Sequence, residues 1–283
     1  MVYTPKYCPN CEAVARVGMI ITRPYHTCPS CNTTNPVENL VTKSTRATVG
    51  GPAVSFAPLI TQVGTGFFID GTSSTASVDS STFALNDYEQ LIAVVWSRNG
   101  TVANPASVTV SGKSYGLSVL GGQTSTGLRL SIYSSAATTS FGTKGTDYYG
   151  DGTDFVRVTW GTTYPTCGGV QVFKLSRQVS ADKTTSSAGT AASTSNTTAA
   201  LGYFDDIIIS AIEVAGTKST ATAPTWDDSV LSFAPVGPTS GGTNAASCAV
   251  AYKRVVGKDP QTTSLTLPSS LLYSMVTIAF NPS

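Results

Sequence analysis

Four cysteines crowd the start of the chain: Cys8, Cys11, Cys28 and Cys31. They fall as two pairs, Cys8-Pro9-Asn10-Cys11 and Cys28-Pro29-Ser30-Cys31, with sixteen residues between them. A C-x-x-C turn aims two thiolates at one point, and two such turns make a tetrahedral site suited to Zn²⁺. Four thiolates close the coordination shell, so the expected metal is structural and has no open position for water. Two short disulfides are the alternative, and they need an oxidising compartment. The chain opens Met1-Val2-Tyr3-Thr4-Pro5-Lys6 without an apolar stretch, so no secretory signal is expected and the thiols read as metal ligands. His26 is the one histidine. It could replace a ligand, but reads rather as a surface residue or a neighbour of the site. None is left for the rest of the chain, which excludes a Ser-His-Asp or Cys-His nucleophile there.

Other chemical candidates are weaker. Asp147, Asp151 and Asp154 share a Gly-rich loop, and oxygen ligands on a flexible loop suit Ca²⁺, but the spacing is not that of an EF-hand. Asp and Gly also simply make turns. Tyr148 and Tyr149, with Trp160 and Tyr164 nearby, could stack on sugar rings, though Trp160 reads better as strand core. Trp226-Asp227-Asp228 offers adjacent carboxylates. Glycosidases need two carboxyl groups facing each other across a cleft, and neighbours on a strand point to opposite faces. Glutamate is scarce (Glu12, Glu38, Glu89, Glu213), and hydrolase activity is not expected. Cys167 and Cys248 read as two free buried thiols, with a disulfide only if their strands are neighbours.

The elements that must hold these residues are strands. Leu91-Ile92-Ala93-Val94-Val95-Trp96 is a short apolar run ended by Ser97-Arg98-Asn99-Gly100, the pattern of a strand buried on both faces. Ile207-Ile208-Ile209-Ser210-Ala211-Ile212 repeats it. Both runs lead into the same succession of features: a turn with Pro105 or Pro224, further strands, and a last alternating strand, Val170–Leu175 or Met275–Phe280. The chain thus contains two weakly similar halves, roughly 86–176 and 202–283, each too small to close a core alone and expected to pack face to face as one sandwich. The Ser/Thr/Ala-rich residues 177–200 between them are expected to form an exposed crossover with one irregular edge strand. Residues 41–52 read as a linker ending at Gly50-Gly51-Pro52, which separates a module at 1–45 from a β domain at 53–283. Almost no helix is expected.

The whole chain has 283 residues, 41% hydrophobic and 12% charged, with a formal net charge of +1. Ser and Thr stand where a typical soluble domain would carry charges. Such a balance disfavours nucleic acid as a partner, because phosphate binding needs clustered Lys and Arg. No apolar run approaches the length that spans a membrane.

Residues 1–45 resemble a zinc ribbon, on the C-P-x-C spacing and a predicted hairpin of Val14–Val17 with Met19–Ile21 turning at Gly18. Residues 54–283 resemble a jelly-roll-like β-sandwich of tailed-phage virion proteins and some bacterial surface proteins. The buried strands Leu91–Trp96 and Ile207–Ile212, the stretch Val108–Tyr115 and the closing Val276–Pro282 carry that likeness. The resemblance implies a non-enzymatic virion protein, of capsid decoration or cement type. It would be made in the host cytoplasm and dock on the major capsid protein through its N-terminal module. It would self-associate, with a trimer as the number a capsid suggests. A tail-fibre or spike role, with a sandwich binding surface glycans or a receptor, is the alternative. Neither resemblance brings a catalytic residue. Val14, Val17, Met19 and Ile20 are more apolar than so small a module needs, which favours a protein interface there.

Overall fold

The computed structural model divides into two compact units, Met1–Ser55 and Phe56–Ser283. It describes residues 6–7, 14–15, 25–27, 34–36 and 41–42 of the first unit; in the second it describes 60–69, 77–85, 90–98, 105–110, 116–135, 153–161, 165–176, 178–203, 205–218, 224–227, 230–239 and 244–282.

The described residues of the first unit form five short strands: β1 (Lys6–Tyr7), β2 (Val14–Ala15), β3 (Tyr25–Thr27), β4 (Thr34–Pro36) and β5 (Val41–Thr42). β1 pairs with β2 and β5, and β3 pairs with β4, all antiparallel. Val14–Ala15 therefore pairs with the strand before the first C-x-x-C. The expected partner at Met19–Ile21 lies outside the described residues.

The second unit is all-β, and every strand pair in it is antiparallel. Its first half supplies β6 (Ile60–Ile69), β7 (Ser77–Asp79), β8 (Gln90–Arg98), β9 (Pro105–Val110), β10 (Ser118–Ser125), β11 (Leu128–Ser134), β12 (Val156–Trp160) and β13 (Cys167–Leu175). These make a large sheet, β10-β11-β8-β13-β6, and a small one, β7-β12-β9. A two-residue turn joins β10 to β11, and Gly127 supplies its positive φ of 74°.

The second half supplies β14 (Val179–Thr197), β15 (Asp205–Ala215), β16 (Thr225–Trp226), β17 (Leu231–Ser232), β18 (Ala246–Val256) and β19 (Thr262–Pro282). Its large sheet runs β14-β19-β15-β18-β17. β14 and β19 are long enough to serve twice. Val179–Ala191 pairs with Leu271–Pro282 in the large sheet; after a register break, Ser193–Thr197 pairs with Thr262–Thr266, whose other side takes β16. The ends of β14 and β19 with β16 thus repeat the small sheet of the first half. Counting β14 and β19 as two strands each, both halves have the same pairing order.

The apolar runs explain the layering. In β8, Ile92, Val94 and Trp96 face the second half, while Leu91, Ala93 and Val95 face the first half's own small sheet with Val108, Val110, Val156, Val158 and Trp160. In β15, Ile207, Ile209 and Ala211 meet the first half, while Ile212 and Val214 pack under Trp226, Leu265 and Leu267. A strand apolar on both faces needs two covers. The expectation of one sandwich with one core is corrected accordingly: the large sheets do pack face to face, but each also carries its own small sheet on the outer side. The irregular edge strand expected in residues 177–200 is present, with two register breaks, but it is longer than a crossover would allow and belongs to the second half, which therefore begins before residue 202. Most of these residues form a 19-residue strand, β14, because β19 offers a partner along its whole length and Ser, Thr and Ala are tolerated on a half-exposed edge.

The two large sheets stack in reversed order. β10 lies against β14, where the Ser186 hydroxyl donates to Gln123 Oε1 at 2.7 Å. β8 lies against β15 and β18. β13 lies against β18, where Gln171 Nε2 donates to the Cys248 carbonyl at 2.9 Å, and against the end of β17, where Phe173 meets Phe233 at 4.8 Å between ring centroids. Opposite edges of equivalent sheets meet across equivalent central strands, as in a two-fold dimer interface.

Candidate functional site

The predicted zinc ligands Cys8, Cys11, Cys28 and Cys31 lie outside the described residues. The strands around them are described. Tyr7 pairs with Val14 across the first C-x-x-C, and Thr27 pairs with Thr34 across the second, so each motif is carried between two antiparallel strands. His26 sits in β3 opposite Asn35.

Of the acidic loop, Asp147 and Asp151 lie outside the described residues, as do Tyr148, Tyr149 and Tyr164. Asp154 is buried, and its backbone pairs with Phe83. Trp160 is core, packed edge-on to Phe68 with ring centroids 5.5 Å apart. Among the described residues, no cluster of three His, Cys, Asp or Glu could hold a metal ion.

Cys167 and Cys248 are buried thiols outside any disulfide, on facing strands of the two large sheets. Cys167 Sγ donates to the Ala246 carbonyl at 3.4 Å, and Gln171 stands opposite Cys248, which sets the two thiols out of step. Burial, and then the neighbouring Glu213 charge, raise the Cys248 thiol well above its usual range.

Glu213 is the charge the sequence would not place in a core. It lies on β15 between the halves and is fully buried. Burial pushes its carboxyl well above the ordinary glutamate value, and the Arg98 guanidinium opposes this without overcoming it. Arg98 is partly engaged elsewhere, donating from Nη1 to the Ala245 carbonyl at 2.7 Å. The folded protein therefore holds a proton here that the unfolded chain releases near pH 4.5. Stability should be greatest below that pH and fall as pH rises towards the folded value, by at most about 1.4 kcal/mol per pH unit for one proton. Denaturant titrations of the wild type and Glu213→Gln across the acidic to neutral range test this. The variant should lose the decline, and identical pH profiles would show that Glu213 is not its source.

The concave site lies on the outer side of the second half. It has a volume of about 550 Å³ and is floored by the ends of β14 and β19 with β16. Ladder alternation turns Trp226 and Leu265 inward and leaves Ser193, Ser195, Thr225, Asp227, Ser264 and Thr266 on the outer surface. Asp227 Oδ2 accepts from the Ser264 N–H at 2.9 Å and from its hydroxyl at 3.1 Å, which fixes the carboxylate. Lys253, near enough to feel the Asp227 charge, donates from Nζ to the Thr262 carbonyl at 2.6 Å. Partial burial lowers the Lys253 pKa, against the pull of Asp227. Asp228, the second carboxylate of the motif, lies outside the described residues. The sequence singled out Trp226 and Asp227 but not the hydroxyls that surround Asp227. Apart from Thr225, those come from segments about thirty to forty positions away on either side, and only strand pairing brings them together.

The equivalent surface of the first half is different. Arg157 spans it, donating to both oxygens of Asp79 at 2.7 and 2.6 Å, and lies over the Phe155 ring at 5.3 Å.

No family model, curated protein or solved structure matches this chain.

Proposed function

We propose that the chain is a non-enzymatic structural protein of a phage particle, a capsid decoration protein in which the first unit attaches and the second is displayed. The observation that carries this reading is the doubled architecture of the second unit. Each half reads as a jelly roll: its first, eighth, third and sixth strands pair in that order, and so do its second, seventh and fourth. The fifth has moved to pair with the sixth. Two such rolls joined back to back through twenty buried core residues form a stiff body with two outward faces. Those faces carry mainly hydroxyl side chains, which suits a displayed element.

The first unit is read as a zinc ribbon holding one Zn²⁺ through Cys8, Cys11, Cys28 and Cys31. Placement of each C-x-x-C between paired strands supports this, because that is how a ribbon aims two thiolates at one metal. So small a unit has little core of its own, and the metal would supply most of its folding energy. Its retention suggests a surface that must be kept in shape, here for docking on the major capsid protein. Self-association around a local symmetry axis, a trimer on a capsid three-fold, belongs to the same reading.

The test uses particles lacking this protein. The 1–50 fragment loaded with zinc should bind them, and the 54–283 fragment should bind much more weakly. A chelator should release the full chain and lower its zinc from about one per molecule, the count four thiolates imply. If 54–283 binds as well as the full chain, the first unit is not the anchor. If the purified protein carries almost no zinc, or the four thiols are oxidised in pairs, the metal reading is wrong.

A further inference from the structure

We propose that the concave outer face of the second half's small sheet is a binding site for a neutral polyhydroxylated ligand, a glycan, with Asp227 as its fixed carboxylate acceptor. This goes beyond the structural role and stands whether or not the first unit anchors the protein.

Three observations carry it. The first is the donor set. The outer surface presents Ser193, Ser195, Thr225, Ser264 and Thr266, and each hydroxyl can both donate and accept. Sugar hydroxyls do the same, so these hydroxyls complement a neutral ligand, and Asp227 adds one charged acceptor beside them. Among the described residues that line the site none is cationic, and Lys253 close by is engaged with the Thr262 carbonyl, which disfavours a phosphate or sulfate group. Its apolar residues, Trp226 and Leu265, are turned into the core and almost fully buried, which disfavours a lipid or an apolar peptide.

The second is the state of Asp227. Oδ2 is held by both the N–H and the hydroxyl of Ser264, and the Asp227 N–H donates to the Ser264 carbonyl at 2.9 Å. The carboxylate is thus positioned before any ligand arrives, and preorganisation of this kind spares the ordering entropy of binding.

The third is the contrast between the halves. They share one pairing order, yet the Arg157–Asp79 ion pair bridges the equivalent strands of the first half, with the Arg157 guanidinium over the Phe155 ring. At the same layer of the second half the side chains are short, and a concavity of about 550 Å³ remains above them. Packing and stability account equally for both small sheets. The concavity and the fixed carboxylate on one of them are the features they leave unexplained, and a ligand explains both.

The experiment is saturation-transfer NMR on the full-length protein with free glucose, galactose, mannose and N-acetylglucosamine, together with amide shift mapping. At least one sugar should show saturable binding in the millimolar range usual for a ligand of so few atoms. Shifts should centre on Thr225, Asp227, Ser264 and Thr266. Thr266→Val keeps the strand shape and removes one hydroxyl; it should weaken binding roughly five- to tenfold, the equivalent of one lost hydrogen bond. Thr159→Val, on the outer layer of the first half, should leave binding unchanged. The proposal is overturned if none of the four sugars gives saturable transfer. It is equally overturned if binding survives intact in both Thr266→Val and Ser264→Ala, or if the shifts map to another surface.

Discussion

Replacing Ile209 by Ala should lower the stability of the second unit by about 2–5 kcal/mol, the usual range for truncating a fully buried aliphatic side chain. The more telling expectation is where the loss is felt. Ile209 lies on the central strand β15, flanked by Tyr252 and Ile278, in the cluster shared by both large sheets. Two tryptophans report on the outer cores: Trp160 on that of the first half and Trp226 on that of the second. Single-tryptophan versions, with Trp96 and one of these changed to Phe, let each half be followed separately through urea unfolding. Both reporters should show one transition at the same midpoint, and Ile209→Ala should move both midpoints equally, because the halves stand or fall on the core between them. A fragment of 202–283 alone should not fold, since it lacks β14, the partner of β19 along nearly all its length. The outcome that sinks this view is a Trp160 transition that stays in place while the Trp226 transition shifts.

Gly169→Ala should be among the most damaging small substitutions in the chain. Gly169 pairs with Trp96 on one side and Phe67 on the other. A Cβ there would stand 2.3 Å from Trp96 Cζ2 and 2.6 Å from the Gly66 carbonyl oxygen. Neither neighbour can give way: Trp96 is fully buried in the shared core, and Gly66 contributes backbone. Overpacking of this kind costs about 1–3 kcal/mol and sometimes more, and a site without slack belongs at the top of that range. Gly116→Ala is the control, since nothing lies within 4 Å of its added Cβ, and it should change stability by less than about 0.5 kcal/mol. Thermal and urea unfolding of the two variants compare them directly. Equal stability of Gly169→Ala and wild type would mean that β13 and β8 are not packed as described.

The sequence alone determined a good deal. Leu91–Trp96 and Ile207–Ile212 announce strands covered on both faces, because only such a strand is apolar at nearly every position. The likeness of the two halves was legible for the same reason, since buried strands leave the strongest apolar pattern. The buried state outside any disulfide expected of Cys167 and Cys248, and Trp160 as core, agree with the structure. What the pattern could not convey was which layer covers which face. The small sheets are built from short strands such as β7 and β16, three and two residues long, too short to carry a periodic signal. Nor does Ser/Thr-rich β14 look like a strand by itself; its hydroxyl residues become a ladder only because β19 runs beside them. The same holds for the concave site. Ser193, Thr225 and Thr266 are unremarkable turn or edge residues in sequence, and they form one surface only where three distant segments are hydrogen-bonded side by side. Buried Glu213 is the clearest case of a tertiary decision. Nothing in Ile212-Glu213-Val214 marks the carboxyl as interior, and it is interior because a second large sheet closes over the face on which strand alternation places it.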